Sequence, residues 1–210
     1  TEIYTNDKFK SPPFPDFRLF GVDRRIYPKT ARDRKGSDVL PRLLKRDQSY
    51  PDGFRRDYSG VAEPHYLDLD FGDAAPDNRA VLILSGWLDW ADGSTFRAVS
   101  QESPDFSLSL GLPYLQVKNA KGEWQTVIED MGIPAGKPKI ISVDLTGKFL
   151  TKSREVRIVT GMALYWDEIF LGASAAAPQS KLTDVSMDSV DLHFRGWSRP
   201  VIHPARTQPE

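Results

Sequence analysis

The stretch His65-Tyr66-Leu67-Asp68-Leu69-Asp70-Phe71 alternates apolar and charged side chains, and nothing else in the chain limits its fold as much. Successive side chains of an extended strand point to opposite faces, so Leu67, Leu69 and Phe71 share one face and Asp68 and Asp70 the other. Ala80 to Leu84 is a continuous apolar run of strand length, bounded by Asp77-Asn78 and Ser85-Gly86, which predicts a central strand covered on both faces. Tyr114 to Val117 and Trp124 to Ile128 flank a polar turn with Gly122 near its end, the pattern of a hairpin. Lys139 to Leu145, Glu155 to Thr160, Ala163 to Leu171 and Ser189 to Phe194 continue the series. About eight or nine strands at short spacing, with almost no helical pattern between them, predict a mainly β chain, an antiparallel β-sandwich.

The ends differ from this centre. Residues 1 to 56 hold 14 Lys/Arg and 8 Asp/Glu, a net of +6, whereas the remainder holds 14 and 21, a net of −7. The first segment therefore either wraps onto the acidic body, docks on another acidic surface, or stays a solvated arm. Within it, Ser11 to Phe17 (SPPFPDF) reads as polyproline-like extended chain. Ser37-Asp38 can cap one short helix of about three turns, with Leu40, Leu43 and Leu44 on its apolar edge, Pro41 in the first turn and Pro51-Asp52-Gly53 at its end. The expected organisation is a basic, Pro-rich segment over 1–61, the strands over 62–172, and a linker with a C-terminal extension over 173–210.

Composition removes several function classes. A formal charge of −1 gives the whole molecule no field for nucleic acid or an anionic membrane. Zero cysteines exclude disulfides, thiolate zinc sites, Fe–S clusters and cysteine nucleophiles. No GxSxG, GxGxxG or P-loop sequence occurs, and His65, His193 and His203 lack zinc-site spacing. No apolar run is long enough for direct membrane insertion. A start at Thr1 suits a processed or excised chain, and an extracytoplasmic setting, periplasmic or extracellular, is the expectation.

Several phrases resemble a known module. LPYLQVKNAKGEWQTVIEDMGIPAGKPKIISVDLTGKF and SREVRIVTGMALYWDEIFLG resemble a module of large bacterial proteins that also carry FG-GAP (ASPIC/UnbV-type) or tetratricopeptide repeats. RDRKGSDVLPRLLKRDQSYPDGF, AEPHYLDLDFG, GWLDWADGS and LHFRGWSRP look like further blocks of it, so the likeness spans about residues 12 to 200. Residues 113 to 172 are also similar to galactose-binding-like (discoidin-type) jelly-roll sandwiches. The first resemblance implies a part of a larger protein and says little about activity; sugar binding follows from the second only by fold analogy.

GWLDWADGS, Gly86 to Ser94, is the first candidate site. Trp87 would close the core, while Trp90 at the turn offers an exposed indole for stacking on a sugar ring. Asp89 and Asp92 are the candidate ligands of a structural Ca²⁺, the one cofactor left open, although the EF-hand spacing is missing. Trp124 and Trp166 are expected in the core. Asp68 and Asp70 share a face, a weaker metal candidate. Asp167 and Glu168, adjacent on a strand, should point to opposite faces and so not address one substrate atom; Asp167 should instead bond a turn or an Arg. Partner-binding candidates are Trp197, Arg195 and Arg199 in the tail and Phe14 and Phe17 in the arm. The reading is a non-enzymatic binding or assembly module that packs its arms on other subunits or domains. A carbohydrate-binding module comes second, and a hydrolase using Asp68, Asp89 or Asp167 third.

Overall fold

A computed structural model describes residues 1–5, 18–58, 60–74, 79–89, 94–95, 97, 101, 111–134, 136–173, 181, 183, 185–194 and 196–197. The chain is mainly β with antiparallel sheets, and no helix among the described residues reaches seven residues. The strands are β1 (Glu2–Thr5), β2 (Leu19–Val22), β3 (Arg24–Ile26), β4 (Thr30–Asp33), β5 (Arg56–Tyr58), β6 (Val61–Asp70), β7 (Ala80–Leu88), β8 (Tyr114–Lys118), β9 (Trp124–Ile128), β10 (Lys139–Asp144), β11 (Glu155–Met162) and β12 (Leu164–Ala173). They form a two-stranded ribbon β1-β2, a sheet in the order β10-β7-β12-β3, and a sheet β4-β6-β11-β8-β9 with β5 also on β6.

The two larger sheets share one core. Leu67, Leu69, Leu115, Val117, Val156 and Ile158 meet Leu82, Leu84, Ile141, Val143, Trp166 and Ile169 in one buried cluster. β7 is buried along most of its length because the β1-β2 ribbon covers its second face. Val81 and Ile83 pack there with Phe170 against Tyr4 and Val22. Thus the apolar run at 80–84 needs both of its faces, as its lack of alternation requires. The hairpin β8-β9 has Gly122 at φ +78, a conformation that L side chains resist.

Part of the segment expected as an arm is sheet. β1 to β4 lie in it, and its cations reach carboxylates further along the chain: Arg25 and Arg46 bind Glu168 on β12, Arg34 binds Glu63 on β6, and Arg56 binds Asp89 just after β7. The expected three-turn helix is reduced to a 3-10 turn, Leu40–Arg42. The reason is competition for its backbone groups. Val39 N–H donates to Ala31 O at 3.0 Å, and Leu43 O, which a continuing helix would use, instead accepts Ile169 N–H at 3.0 Å, while Leu44 bridges to Glu168. Leu43 is fully buried as a result.

The chain divides into two compact units, 1–178 and 179–210. The expected strand Ser189 to Phe194 forms no ladder among the described residues, and Val190, Leu192 and Phe194 are exposed. A single extended stretch has no ladder of its own to satisfy its backbone, so alternation alone does not make it a strand.

Candidate functional site

A one-residue bulge in β12 creates the most distinctive local geometry. Trp166 pairs with Gly86 and Glu168 with Ser85, so Asp167 is the extra residue. Bulges re-aim side chains, and here the expectation of opposite faces fails. Asp167 and Glu168 both turn away from the core cluster, to the same loop. Asp167 Oδ1 accepts the N–H groups of Asp47 at 3.1 Å and Gln48 at 3.0 Å. Glu168 Oε2 accepts Arg46 Nε at 3.1 Å, while its Oε1 accepts Arg25 Nη1 at 2.9 Å and Tyr27 O–H at 2.7 Å. The expected turn contact of Asp167 is present. Gln48 itself sits at φ 64, the one non-glycine residue with positive φ among the described residues. Strain of this kind is held only by surrounding contacts, and it clusters at functional sites.

Aromatic rings gather beside the bulge. Trp87 and Tyr165 are cross-strand partners, stacked with centroids 4.7 Å apart at 15°. Tyr50 stands edge-on to both at 5.9 Å, and Phe54 joins Tyr165 at 5.3 Å. Phe54 continues the cluster to His65, stacked at 4.2 Å. Burial lowers the His65 pKa, partly opposed by the hydrogen bond to Glu63 O, and so favours the neutral ring. Burial raises the pKa of Tyr50, with the Asp167 charge adding to it, and burial also raises that of Tyr165, so both phenols keep their protons at neutral pH.

Of these groups Tyr50, Trp87 and Asp167 line an open groove, together with Arg46, Gln48, Ser85, Lys137 and Lys139. It offers a flat indole, a carboxylate fixed through one oxygen, an amide and the ammonium of Lys137, beside an Arg46 already paired with Glu168. That set can stack a ring, accept hydrogen bonds from hydroxyls and attract an anion.

The residues singled out in the sequence are distributed differently. Asp89 follows β7, half-buried, and Arg56 Nη1 donates to it at 2.9 Å. Trp90, Asp92, Phe14, Phe17, Arg195 and Arg199 lie outside the described residues. Trp197 is 95% exposed, its ring 6.5 Å from that of Phe194. Asp68 is held by Arg157 at 2.6 and 2.7 Å, and Asp70 accepts the Gly72 N–H. Among the described residues no group of three or more His, Asp or Glu could hold a metal ion. Of the three indoles expected in the core, only Trp166 is there; Trp87 faces the groove, and Trp124 lies under Lys118 and Arg157. The groove residues Arg46, Gln48, Tyr50 and Lys137 escaped sequence reasoning. The signal that was present is the unusual order Tyr-Trp-Asp-Glu-Ile-Phe at 165–170, in which neither alternation nor an apolar run persists.

Comparisons with known protein families, curated proteins and solved structures found no match.

Proposed function

We propose that the chain is a non-enzymatic binding and assembly module, built on a jelly-roll, galactose-binding-like β-sandwich, that packs on other subunits or domains of a larger extracytoplasmic bacterial protein. The observation that carries this reading is the exposed apolar segment near the C-terminus. Val185, Met187, Val190, Leu192, Phe194 and Trp197 are 69 to 96% exposed. Large apolar side chains displayed together mark interaction surfaces, because burying them against a partner removes that surface from water. The non-enzymatic part rests on the bulge carboxylates. Glu168 is occupied by Arg25, Tyr27 and Arg46, and Asp167 is anchored to two backbone N–H groups.

Light scattering on the intact chain and on one lacking 181–210 tests the reading. It expects self-association, or a stable complex with a co-purifying polypeptide, that the deletion abolishes. A stable monomer unchanged by the deletion would sink it.

A second reading, a carbohydrate-binding module, is favoured by Trp87 and Asp167 lining one groove. A stacking indole beside a hydrogen-bond-accepting carboxylate suits a ring that is apolar on its face and hydroxylated at its edge. Affinity electrophoresis in polysaccharide gels tests it: retardation lost on Trp87→Ala, with the fold intact by circular dichroism, is the expected result.

A further inference from the structure

We propose that the segment Ser189 to Phe194 pairs with the same segment of a second copy of the chain, as two antiparallel strands about a two-fold axis through Leu192; this rests on the assembly reading and names its partner.

The segment has what a strand needs except a neighbour. His193 Nδ1 donates to Asp191 Oδ1 at 2.9 Å, a contact between side chains two residues apart, which share a face in extended chain. Val190, Leu192 and Phe194 then hold the opposite face, and all three are exposed. A bend at Asp188 and a left-handed Gly196, at φ +82, bound the stretch. Beyond Gly196 the Trp197 ring returns to Phe194, edge-on at 83°. The ladder missing within the chain is the part that a second chain supplies.

Self-complementarity selects a second copy as that chain. Val190-Asp191-Leu192-His193-Phe194 reads apolar, polar, apolar, polar, apolar from either end, with an acid and a base exchanging places. Antiparallel pairing centred on Leu192 therefore sets Asp191 against His193 of the other copy twice, and Val190 against Phe194 twice. An acid opposite a base, and an aromatic opposite a β-branched side chain, are combinations that stabilise directly opposed strand positions. Other registers lose this. Parallel pairing puts Asp191 against Asp191, and an antiparallel slip of two residues one way does the same. A slip of two the other way runs Val190 onto Gly196, whose φ leaves the extended region. A slip of one sets Asp191 against Leu192 and mixes the two faces.

The exposed apolar surface is of the size that an interface needs. The rings of Phe194 and Trp197 can bury about 150–250 Å² each. Val185, Met187, Val190 and Leu192 stand beside them, 69 to 96% exposed. A standard interface takes about 800 Å² per partner, and these six side chains approach it. The two-fold pair closes on itself, because each copy uses the same stretch once. A two-stranded ribbon is marginal in water, so the pairing is concentration-dependent, in the micromolar range.

Sedimentation equilibrium and thiol cross-linking of the intact chain test this. The chain has no cysteine, so Leu192→Cys introduces its one thiol, at the axis. Opposed Cα atoms of an antiparallel pair lie about 4.5–5.5 Å apart, within disulfide reach. Two Val190→Cys positions would be four residues apart along the ribbon, about 13 Å, and beyond that reach. Leu192→Cys should thus form the linked dimer roughly tenfold faster than Val190→Cys. Asp191→Lys and His193→Asp should each associate roughly tenfold more weakly alone. Their mixture should recover the parent affinity, since each base then faces an aspartate although neither chain keeps its internal Asp–His contact. Equal cross-linking of the two thiols, or a mixture no tighter than its components, overturns the pairing; association that still needs 181–210 then keeps the assembly reading. A pure chain that stays monomeric through the micromolar range, yet holds a different polypeptide through this segment, also overturns the pairing and keeps that reading. A monomer without any partner overturns both.

Discussion

Arg25 and Glu168, 143 positions apart in the sequence, meet at 2.9 Å, and the Glu168 side chain is only 5% exposed. Tyr27 and Arg46 complete its shell, so one carboxylate ties β3 and the 46–48 loop to β12. Removing the acid strands its donors. Glu168→Ala should lower unfolding stability by about 1–3 kcal/mol, because the arginines left behind still reach water and Arg25 keeps Glu2. Glu168→Gln, which keeps an acceptor, should cost less. Chemical denaturation of both variants checks the order; equal losses would mean that charge is the whole effect.

Gly86 faces Trp166 across the β7-β12 ladder at the edge of the bulge. A Cβ built there would come within 2.6 Å of Tyr165 O and 2.7 Å of Trp166 Cε3. Backbone cannot swing aside as a flexible side chain can, so Gly86→Ala should cost about 1–3 kcal/mol through overpacking. The measurement is a thermal or urea midpoint, and a neutral result would show that the bulge relaxes easily.

Gln48 combines a strained backbone with a place on the groove. A glycine at this position would adopt the same φ without the Cβ penalty and keep the N–H that binds Asp167. Gln48→Gly is therefore expected to stabilise the chain by about 1 kcal/mol while weakening any ligand that needs the amide. Paired denaturation and titration experiments separate the two effects.

His65 makes a pH prediction. Its pKa in the folded chain lies below the ordinary 6.5, chiefly because burial disfavours the imidazolium. Below that ordinary value the unfolded chain takes up the proton first, so it is stabilised relative to the fold. Stability should be flat for this group above about pH 7, fall as the pH drops through 6.5, and level off once the folded ring also protonates. Urea midpoints measured against pH should show this decline in the parent and a smaller one in His65→Phe.

Arg157 holds Asp68 through Nε and Nη2 at 2.6 and 2.7 Å, with its guanidinium 3.9 Å from the Tyr66 centroid and 4.4 Å from that of Trp124. Lysine offers neither the planar fork nor the stacking face. Arg157→Lys should cost about 1–2 kcal/mol, visible as a lower denaturation midpoint, with little further loss on Arg157→Met.

The strands of the two main sheets were legible wherever the pattern was local. β6 shows its alternation, β7 its unbroken apolar run, and β8-β9 its polar turn, and each stands where expected. The short strands before residue 60 were not legible, because Leu19–Val22 and Thr30–Asp33 are too brief for a period to emerge and gain their ladders from distant partners. Residues 40 to 44 look helical for the same reason in reverse: local spacing favours a turn of helix, and only β4 and β12, unseen by a local reading, draw the backbone away. Trp87 illustrates the limit for the site. Its sequence neighbours say that it ends an apolar strand, but whether its indole enters the core depends on Tyr165 and Tyr50 being ready to receive it on the other face.

The bulge at Asp167 acts on β12 as a change of parity. Before it the inward residues are even-numbered, Leu164 and Trp166; after it they are odd-numbered, Ile169 and Leu171. A ten-residue strand is thereby two half-strands with independent phase. Were the same ten residues to alternate without interruption, the even numbers would hold throughout, driving Glu168 into the core and expelling Ile169 and Leu171. Two acids can stand side by side on the outer face of this sheet only because the strand miscounts once between its halves.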